Sequence, residues 1–280
     1  TKESATSQYS LFKKYDKFWK NEFIELKKIC DQEKIEFLST PFDIESATFL
    51  NDLMDVFKIS SSDITNKPFI KFICSFKKPV ILSTGASNMS EINEAVGWIN
   101  EFNLPYALLH CILNYPTNDE NANLLMIKDL IDSFPQTIIG YSDHTLPKDM
   151  KVLEIASILG CQIIEKHFTL NKNLKGNDHY HSMDKNDLKK YFKLMQRNKV
   201  LLGKKEKKDL DSELISRLNA RRSLVLKKSM KYGSTLTSEC LTYKRPATGI
   251  SPKFINEVIG KVLKKDVNKD EILEWNMIEN

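Results

Sequence analysis

Two histidines, His144 and His167, each stand just past a short apolar run of the kind that forms a buried strand, Thr137 to Gly140 and Gln162 to Glu165. Adjacent strands lie about 4.8 Å apart. If these two runs are neighbours, the imidazoles meet at matching strand ends and can ligate one divalent ion, with positions left for water and substrate. Taken singly, each histidine reads equally well as a hydrogen-bonded structural residue, and it is the pair that favours a metal. All five histidines fall between positions 110 and 181.

Cations come next. Lys58 closes the run Val56-Phe57-Lys58, and Lys166 sits beside His167. A lysine at the end of a buried strand is costly unless an anion meets it, so an anionic ligand is the economical reading. A salt bridge to Asp63 or Glu165 is the ordinary alternative for both, and Lys166 has the further option of pointing to the opposite face of its strand. Thr40, Ser61 and Ser83 offer hydroxyls that donate to phosphate or carboxylate oxygens, although each alone is an ordinary turn residue. Arg245 follows a predicted strand in Tyr243-Lys244-Arg245-Pro246, where a turn projects its guanidinium. Spacing alone leaves it a solvated arginine.

The elements that must position these residues follow a simple rhythm. Six apolar runs, Ile35 to Ser39, Val56 to Ile59, Pro79 to Leu82, Tyr106 to Leu109, Thr137 to Gly140 and Gln162 to Glu165, read as strands buried on both faces. Between them lie amphipathic helices such as Met89 to Phe102, with Ile92, Ala95, Val96 and Ile99 on one face, and Met150 to Leu159, with Val152, Ile155, Ala156 and Leu159. Ser90 to Asn93 is an imperfect capping box, whereas Asp184 ahead of Leu188 is a reasonable helix start. A strand–helix repeat of about 20 to 30 residues makes the fold α/β with parallel strands, either a (β/α) barrel or an open doubly wound sheet. Nearly every strand ends in polar or reactive residues: Ser39-Thr40, Lys58 with Ser61-Ser62, Ser83-Thr84, His110, Ser142-Asp143-His144 and Glu165-Lys166-His167. An open sheet gathers its ligand at one switch point, so this distribution favours a closed barrel. Past Leu202 the lysine-rich stretch Gly203 to Asp211 interrupts the rhythm, and short β-type runs, Ser223 to Leu226 and Leu241 to Tyr243, alternate with turn residues. The expected organisation is a barrel domain over 1–202, a linker over 203–222 and a small β-rich domain over 223–280 that leans on a partner surface.

Composition excludes several classes. Of 280 residues, 41% are hydrophobic and 28% charged, the profile of a folded globular protein. The net charge of +5 is dispersed, without the concentrated basic stripe that nucleic-acid binding needs. Five widely spaced cysteines, odd in number and set in apolar runs, read as reduced thiols in a cytoplasmic compartment. No apolar run approaches the roughly 20 residues of a membrane span, and Thr1 to Ser10 is polar without a signal-peptide core.

Several motifs in order are more specific than any generic barrel. The runs Glu36-Phe-Leu-Ser-Thr-Pro-Phe-Asp43, Phe57-Lys-Ile-Ser-Ser-Ser-Asp-Ile-Thr-Asn66, Pro79-Val-Ile-Leu-Ser-Thr-Gly85, Leu109-His-Cys111 with Asn114-Tyr-Pro-Thr117, Gly140-Tyr-Ser-Asp-His-Thr145 and Glu165-Lys-His-Phe-Thr-Leu170 resemble the sialic acid synthase family. The tail, with Lys244-Arg-Pro246 and Gly249-Ile-Ser-Pro252, resembles that family's antifreeze-like (SAF) domain. The resemblance implies that His144 and His167 bind manganese or magnesium. It implies that Thr40, Lys58, Ser61, Ser83 and Ser142 hold phosphoenolpyruvate, that Tyr115, Asp63 and Asp178 contact the sugar, and that Arg245 reaches into the neighbouring active site of a domain-swapped homodimer. The family reaction joins C3 of phosphoenolpyruvate to the aldehyde of an N-acetylmannosamine-type sugar, with water entering at C2 and phosphate leaving by C–O cleavage. On this reading His144, His167, Lys58 and Asp63 form the catalytic set.

The sequence departs from the family pattern in three places. Asp63 stands where Glu is common, and Leu113 where a small polar residue is common. The resemblance also implies two further strand–helix units ahead of the region matched, carrying a Glu, a second phosphoenolpyruvate lysine and a glutamine. The expected fold is therefore a (β/α)8 barrel lacking its first two units, with edges open to pairing. Legionaminic and pseudaminic acid synthases share all these motifs, and a non-catalytic sugar- or phosphoenolpyruvate-binding protein is the alternative of another class. Asn177-Asp178-His179-Tyr180-His181 lies where a sugar-facing loop is expected, its two histidines either tuning specificity or facing solvent.

Overall fold

A computed structural model describes Ser10, Lys13, Lys14 and residues 17–279. The polar start Thr1 to Ser10 thus lies, Ser10 apart, outside the described residues. Two compact units, 1–202 and 203–280, make up the chain.

The first unit is built on a curled parallel sheet, half of a barrel, whose strands β1 (Phe57–Ile59), β2 (Val80–Ser83), β3 (Tyr106–Cys111), β4 (Ile138–Asp143) and β5 (Ile163–Lys166) are adjacent in chain order. Side chains alternate across a strand, so each strand serves two faces. Phe57, Ile59, Val80, Leu82, Leu108, Ile139 and Tyr141 face outward into one hydrophobic core. Onto it pack the apolar stripes of α3 (Lys67–Ser75), α4 (Met89–Asn100), α5 (Met126–Ser133) and α6 (Lys151–Leu159), preceded in the chain by α1 (Lys20–Glu33) and α2 (Ile44–Leu50) and followed by α7 (Lys185–Leu202). The opposite face carries Lys58, Ser83, Cys111, Ser142 and Glu165.

Five of the six expected strands are present. The run Ile35 to Ser39 is extended coil instead, with Ile35 62% and Leu38 44% exposed. A strand needs a ladder: among the described residues β1 pairs with β2 alone, and the Ser39 amide meets Met54 Sδ at 2.9 Å instead. Only Phe37 of this run packs inward, edge-on to Phe23. The helices also refine the expected faces. Ile92, Ala95, Val96 and Ile99 of α4 are buried as a stripe, but the capping box is formed by Asn88 and Glu91 rather than by Ser90 and Asn93. In α6 the buried stripe runs through Leu153 and Ala156, which leaves Ile155 38% exposed. Asp184 does start α7, its Oδ1 accepting the amides of Asn186 and Asp187.

One buried ion pair ties the sheet together where the histidines emerge. Asp143 and Lys166 are register partners on β4 and β5, each side chain 1% exposed. Lys166 donates to Asp143 Oδ2 and to the Thr145 carbonyl at 2.7 Å. Asp143 Oδ1 accepts the Tyr141 hydroxyl at 3.0 Å and the Thr145 amide at 2.9 Å. Lys166 therefore pairs with neither Asp63 nor Glu165. Its side chain leaves the strand on the face opposite to Glu165, because the two residues are consecutive.

The second unit carries its own core of Leu224, Leu226, Leu236, Leu241, Ile250, Val258, Leu263 and Leu273. Its strands β6 (Ser223–Leu226) and β7 (Leu241–Lys244) pair antiparallel, with α9 (Ile255–Val258) close by in sequence to Gly249 and Ile250. Within the expected linker 203–222, α8 (Leu214–Ala220) is joined to this unit by the Ala247 amide, which donates to the Leu218 carbonyl at 2.8 Å. Among the described residues no helix is long and apolar enough to cross a membrane. The five cysteines are free thiols.

Two substitutions test this architecture. A Cβ on Gly140 would sit 2.4 Å from Leu109 Cδ2 and 2.6 Å from the Ile163 carbonyl oxygen, so Gly140→Ala is expected to cost about 1–3 kcal/mol, read as a lower urea midpoint at unchanged slope. Lys166→Met strands a buried carboxylate and is expected to cost about 3–5 kcal/mol, while adding Asp143→Leu recovers most of that loss. Equal stability of single and double variants would count against the ion pair as the tie.

Candidate metal and anion site

Register places the two expected histidines side by side. Asp143 and Lys166 are paired, so His144 and His167 are the next residues on adjacent strands, with ring centroids 5.3 Å apart. His144 is 5% exposed, and its Nδ1 lies 3.1 Å from the Ile112 carbonyl oxygen. Nδ1–H donates there, which leaves the Nε2 lone pair free to bind a cation. Burial, reinforced by His167, pushes the His144 pKa down to about 4. Burial also lowers His167. Both rings are thus held neutral, the form a ligand requires.

A third imidazole joins them. His181 is 1% exposed, which excludes the solvent-facing reading of that loop histidine, and its ring lies 5.1 Å from that of His167. Between the two stands Asp178, with Oδ2 3.6 Å from His167 Nδ1 and Oδ1 3.3 Å from His181 Nε2. His167, Asp178 and His181 offer one donor atom each, all within 4.8 Å of one another. The hydrogen bond from His181 is the largest influence holding the Asp178 carboxyl below its ordinary range. Tyr115 leans over the cluster, its ring 4.1 Å from that of His144 and 5.9 Å from that of His167. The other two histidines are structural. His110 Nε2 lies 3.0 Å from the Ala122 carbonyl oxygen with its ring stacked on Tyr141, and His179 Nδ1 lies 2.8 Å from Thr169 Oγ1.

On the same face of the sheet lies a set of groups suited to an anion. Lys58 is buried, its Nζ 3.5 Å from Glu165 Oε2 and donating to the Ile59 carbonyl at 3.3 Å. Ser142 donates to Glu165 Oε1 at 2.7 Å. Glu165 is thus the carboxylate that Lys58 meets, as the ordinary alternative allowed, yet the contact is long for a charge-assisted bond. Ser61 Oγ accepts the Gly85 amide at 2.9 Å, and Ser83 Oγ is buried without a partner. Gly85 has no room for a Cβ, which would lie 2.8 Å from Ser61 Oγ and 3.1 Å from Cys111 Sγ. Burial raises the Cys111 thiol above its ordinary range, so it stands there as a neutral group.

Not every expected residue joins these clusters. Asp63 ends a short 3-10 turn, Ser61–Asp63, where its Oδ1 accepts from Asn66 Nδ2 at 3.0 Å. Thr40 lies on the extended coil, lining a hollow with Trp19, Phe23, Ser39 and Pro41, and no hydrogen bond joins it to Lys58. Arg245 belongs to the second unit, is exposed, and donates from Nε to the Ala220 carbonyl at 2.9 Å. Leu113 is 45% exposed. Glu165, Cys111 and His181 were absent from the expected set. Alternation marks the first: residues two before His144 and His167 are Ser142 and Glu165, on the same face. Neutral imidazoles with an ionised carboxylate suit a divalent ion, and a buried lysine beside an unpartnered hydroxyl suits a small anion.

Sugar-acid synthases stand among the proteins this chain is similar to. The N,N'-diacetyllegionaminic acid synthase of Campylobacter jejuni is 40% identical over 85% of this chain and 72% of its own length. That of Legionella pneumophila is 36% identical over 99% of this chain and 78% of its own. The crystal structure of the sialic acid synthetase of Leptospira borgpetersenii, in complex with citrate, is 34% identical and superposes with a TM-score of 0.67, covering 71% of this chain and 69% of that one. The NeuB family model matches residues 1–207 and the SAF domain model residues 221–279. With its strand-end histidines, its buried lysine and both family regions in order, the chain belongs to the NeuB family and carries a SAF domain.

Proposed function

We propose that this protein condenses phosphoenolpyruvate with an acylamino sugar to give a nine-carbon 2-keto sugar acid and phosphate. The observation that carries this reading is the convergence, on one face of a half-barrel sheet, of a neutral histidine cluster and the Lys58–Glu165–Ser142 group with the unpartnered Ser83 hydroxyl. Phosphoenolpyruvate would sit against Lys58, Ser61, Ser83 and Ser142, with Thr40, on the coil ahead of β1, as a further contact. Lys58 offsets its charge and the hydroxyls donate to its oxygens. The open-chain sugar would lie across Tyr115, Asp63 and Asp178. A divalent ion, manganese or magnesium, held by His144 and His167 supplies Lewis-acid polarisation of the aldehyde oxygen. Holding both substrates in contact lets C3 of phosphoenolpyruvate bond to the aldehyde carbon. Water then adds at C2, and phosphate leaves with the bridging oxygen. Arg245 would act in the active site of a partner subunit in a domain-swapped homodimer, in the cytoplasm. For the sugar, N-acetylmannosamine is the parent substrate of this chemistry. The two legionaminic acid synthase relatives support a second reading, a diacetamido sugar.

Phosphate release tests the reading. With manganese, phosphoenolpyruvate and a panel of N-acetylmannosamine and the aldose precursors of legionaminic and pseudaminic acids, one sugar is expected to release phosphate stoichiometrically with its keto acid. Metal binding without release on any sugar would leave a binding protein. His144→Ala should lower kcat by at least about 1000-fold with an unchanged melting temperature, since one protein ligand of a Lewis acid is lost. Arg245→Ala should lower kcat/KM by about 10-fold or more in the dimer, and full activity would remove Arg245 from the site.

A further inference from the structure

We infer that His181 is a third imidazole ligand of the cation, acting with His167 and Asp178, so that this chain binds its metal more tightly, and with more nitrogen donors, than the pair His144 and His167 provides. The inference rests on the synthase reading for the place of the ion, but the binding it describes is measured without turnover.

Two observations carry it. His181 lies as near to His167 as His144 does, with ring centroids 5.1 Å apart against 5.3 Å, and the donor atoms of His167, Asp178 and His181 all lie within 4.8 Å of one another. The donor separations fit a shared ion. Two ligands each about 2.1 Å from one tetrahedral ion lie about 3.4 Å apart, and Asp178 Oδ2 stands 3.6 Å from His167 Nδ1 while its Oδ1 stands 3.3 Å from His181 Nε2. Those distances are long for charge-assisted hydrogen bonds, which close to about 2.7–2.9 Å.

The fold explains how a residue in a loop comes to meet two strand ends. Residues His179–His181 form a 3-10 turn, and Ser182 Oγ fastens it by donating to the Asp178 carbonyl at 2.6 Å. The Met183 amide, two residues past His181, donates to the His167 carbonyl at 2.9 Å. The loop is thus bonded to the very residue whose ring it approaches.

An added imidazole has a chemical consequence. Nitrogen donors raise affinity for later first-row metals more than for manganese or magnesium. The protein should therefore bind Co2+ and Zn2+ strongly in preference to Mn2+.

Titration calorimetry of the metal-stripped full chain with Co2+ and Mn2+ tests this. The expected result is one ion per chain, with Co2+ bound at least 10-fold more weakly by His181→Ala and by the bulkier His181→Asn, and the Co2+ to Mn2+ preference reduced in both. Unchanged Co2+ affinity in a folded variant overturns the inference. Should both variants fail to fold, the wild-type protein decides: proton NMR of its Co2+ form is expected to show three contact-shifted imidazole N–H signals, and two or fewer overturn it. Wild-type protein that binds neither ion overturns it as well. If His181 proves a ligand while no sugar releases phosphate, the synthase reading fails and this one stands.

Discussion

The buried pair of Asp143 and Lys166 is the constraint on which the site depends. Both charges are removed from water, so each is tolerable only while the other is held against it. That requirement fixes the register of β4 against β5 at their last residues, and the next residue on each strand is a histidine. The aspartate also accepts from Tyr141 and Thr145, which stiffens the chain on both sides of His144. The pair costs desolvation, and what it secures is the relative position of two imidazoles.

Everything else follows from the two faces of the sheet. The outer face is aliphatic and aromatic, and its burial under the helices supplies the driving force for the fold. The inner face is free to be polar because stability does not rest on it. It can therefore carry a buried lysine with a distant carboxylate and a hydroxyl without a partner. Each of these is a cost that a bound anion would offset. Their concentration on one face, rather than any single residue, gives the region its chemical character.

The small second unit shows the same economy at a smaller scale. Its few short strands close on an aliphatic core, and Gly249 lies so near the backbone of Leu273 that no side chain fits there. The backbone amides on either side of that contact, those of Ile250 and Leu224, donate to Leu273 and Ile250. Here Gly249-Ile250, read from the sequence as a family motif, has a local packing reason.

Much of the sheet was legible from residue order alone. Apolar runs separated by amphipathic segments force a buried parallel sheet wherever each run finds a neighbour, and polar residues at strand ends mark the face that chemistry uses. Alternation even determined that Ser142 would share a face with His144, and Glu165 with His167. Ile35 to Ser39 was the exception, because an apolar run does not reveal whether a partner strand lies beside it. Pairings at a distance were likewise hidden. That Lys166 meets Asp143 depends on register, and register is set by the packing of the whole sheet. That His181 enters the cluster while His110 and His179 do not was decided only by the tertiary structure, since a ring a few residues along a loop reaches the site or misses it according to how the backbone turns.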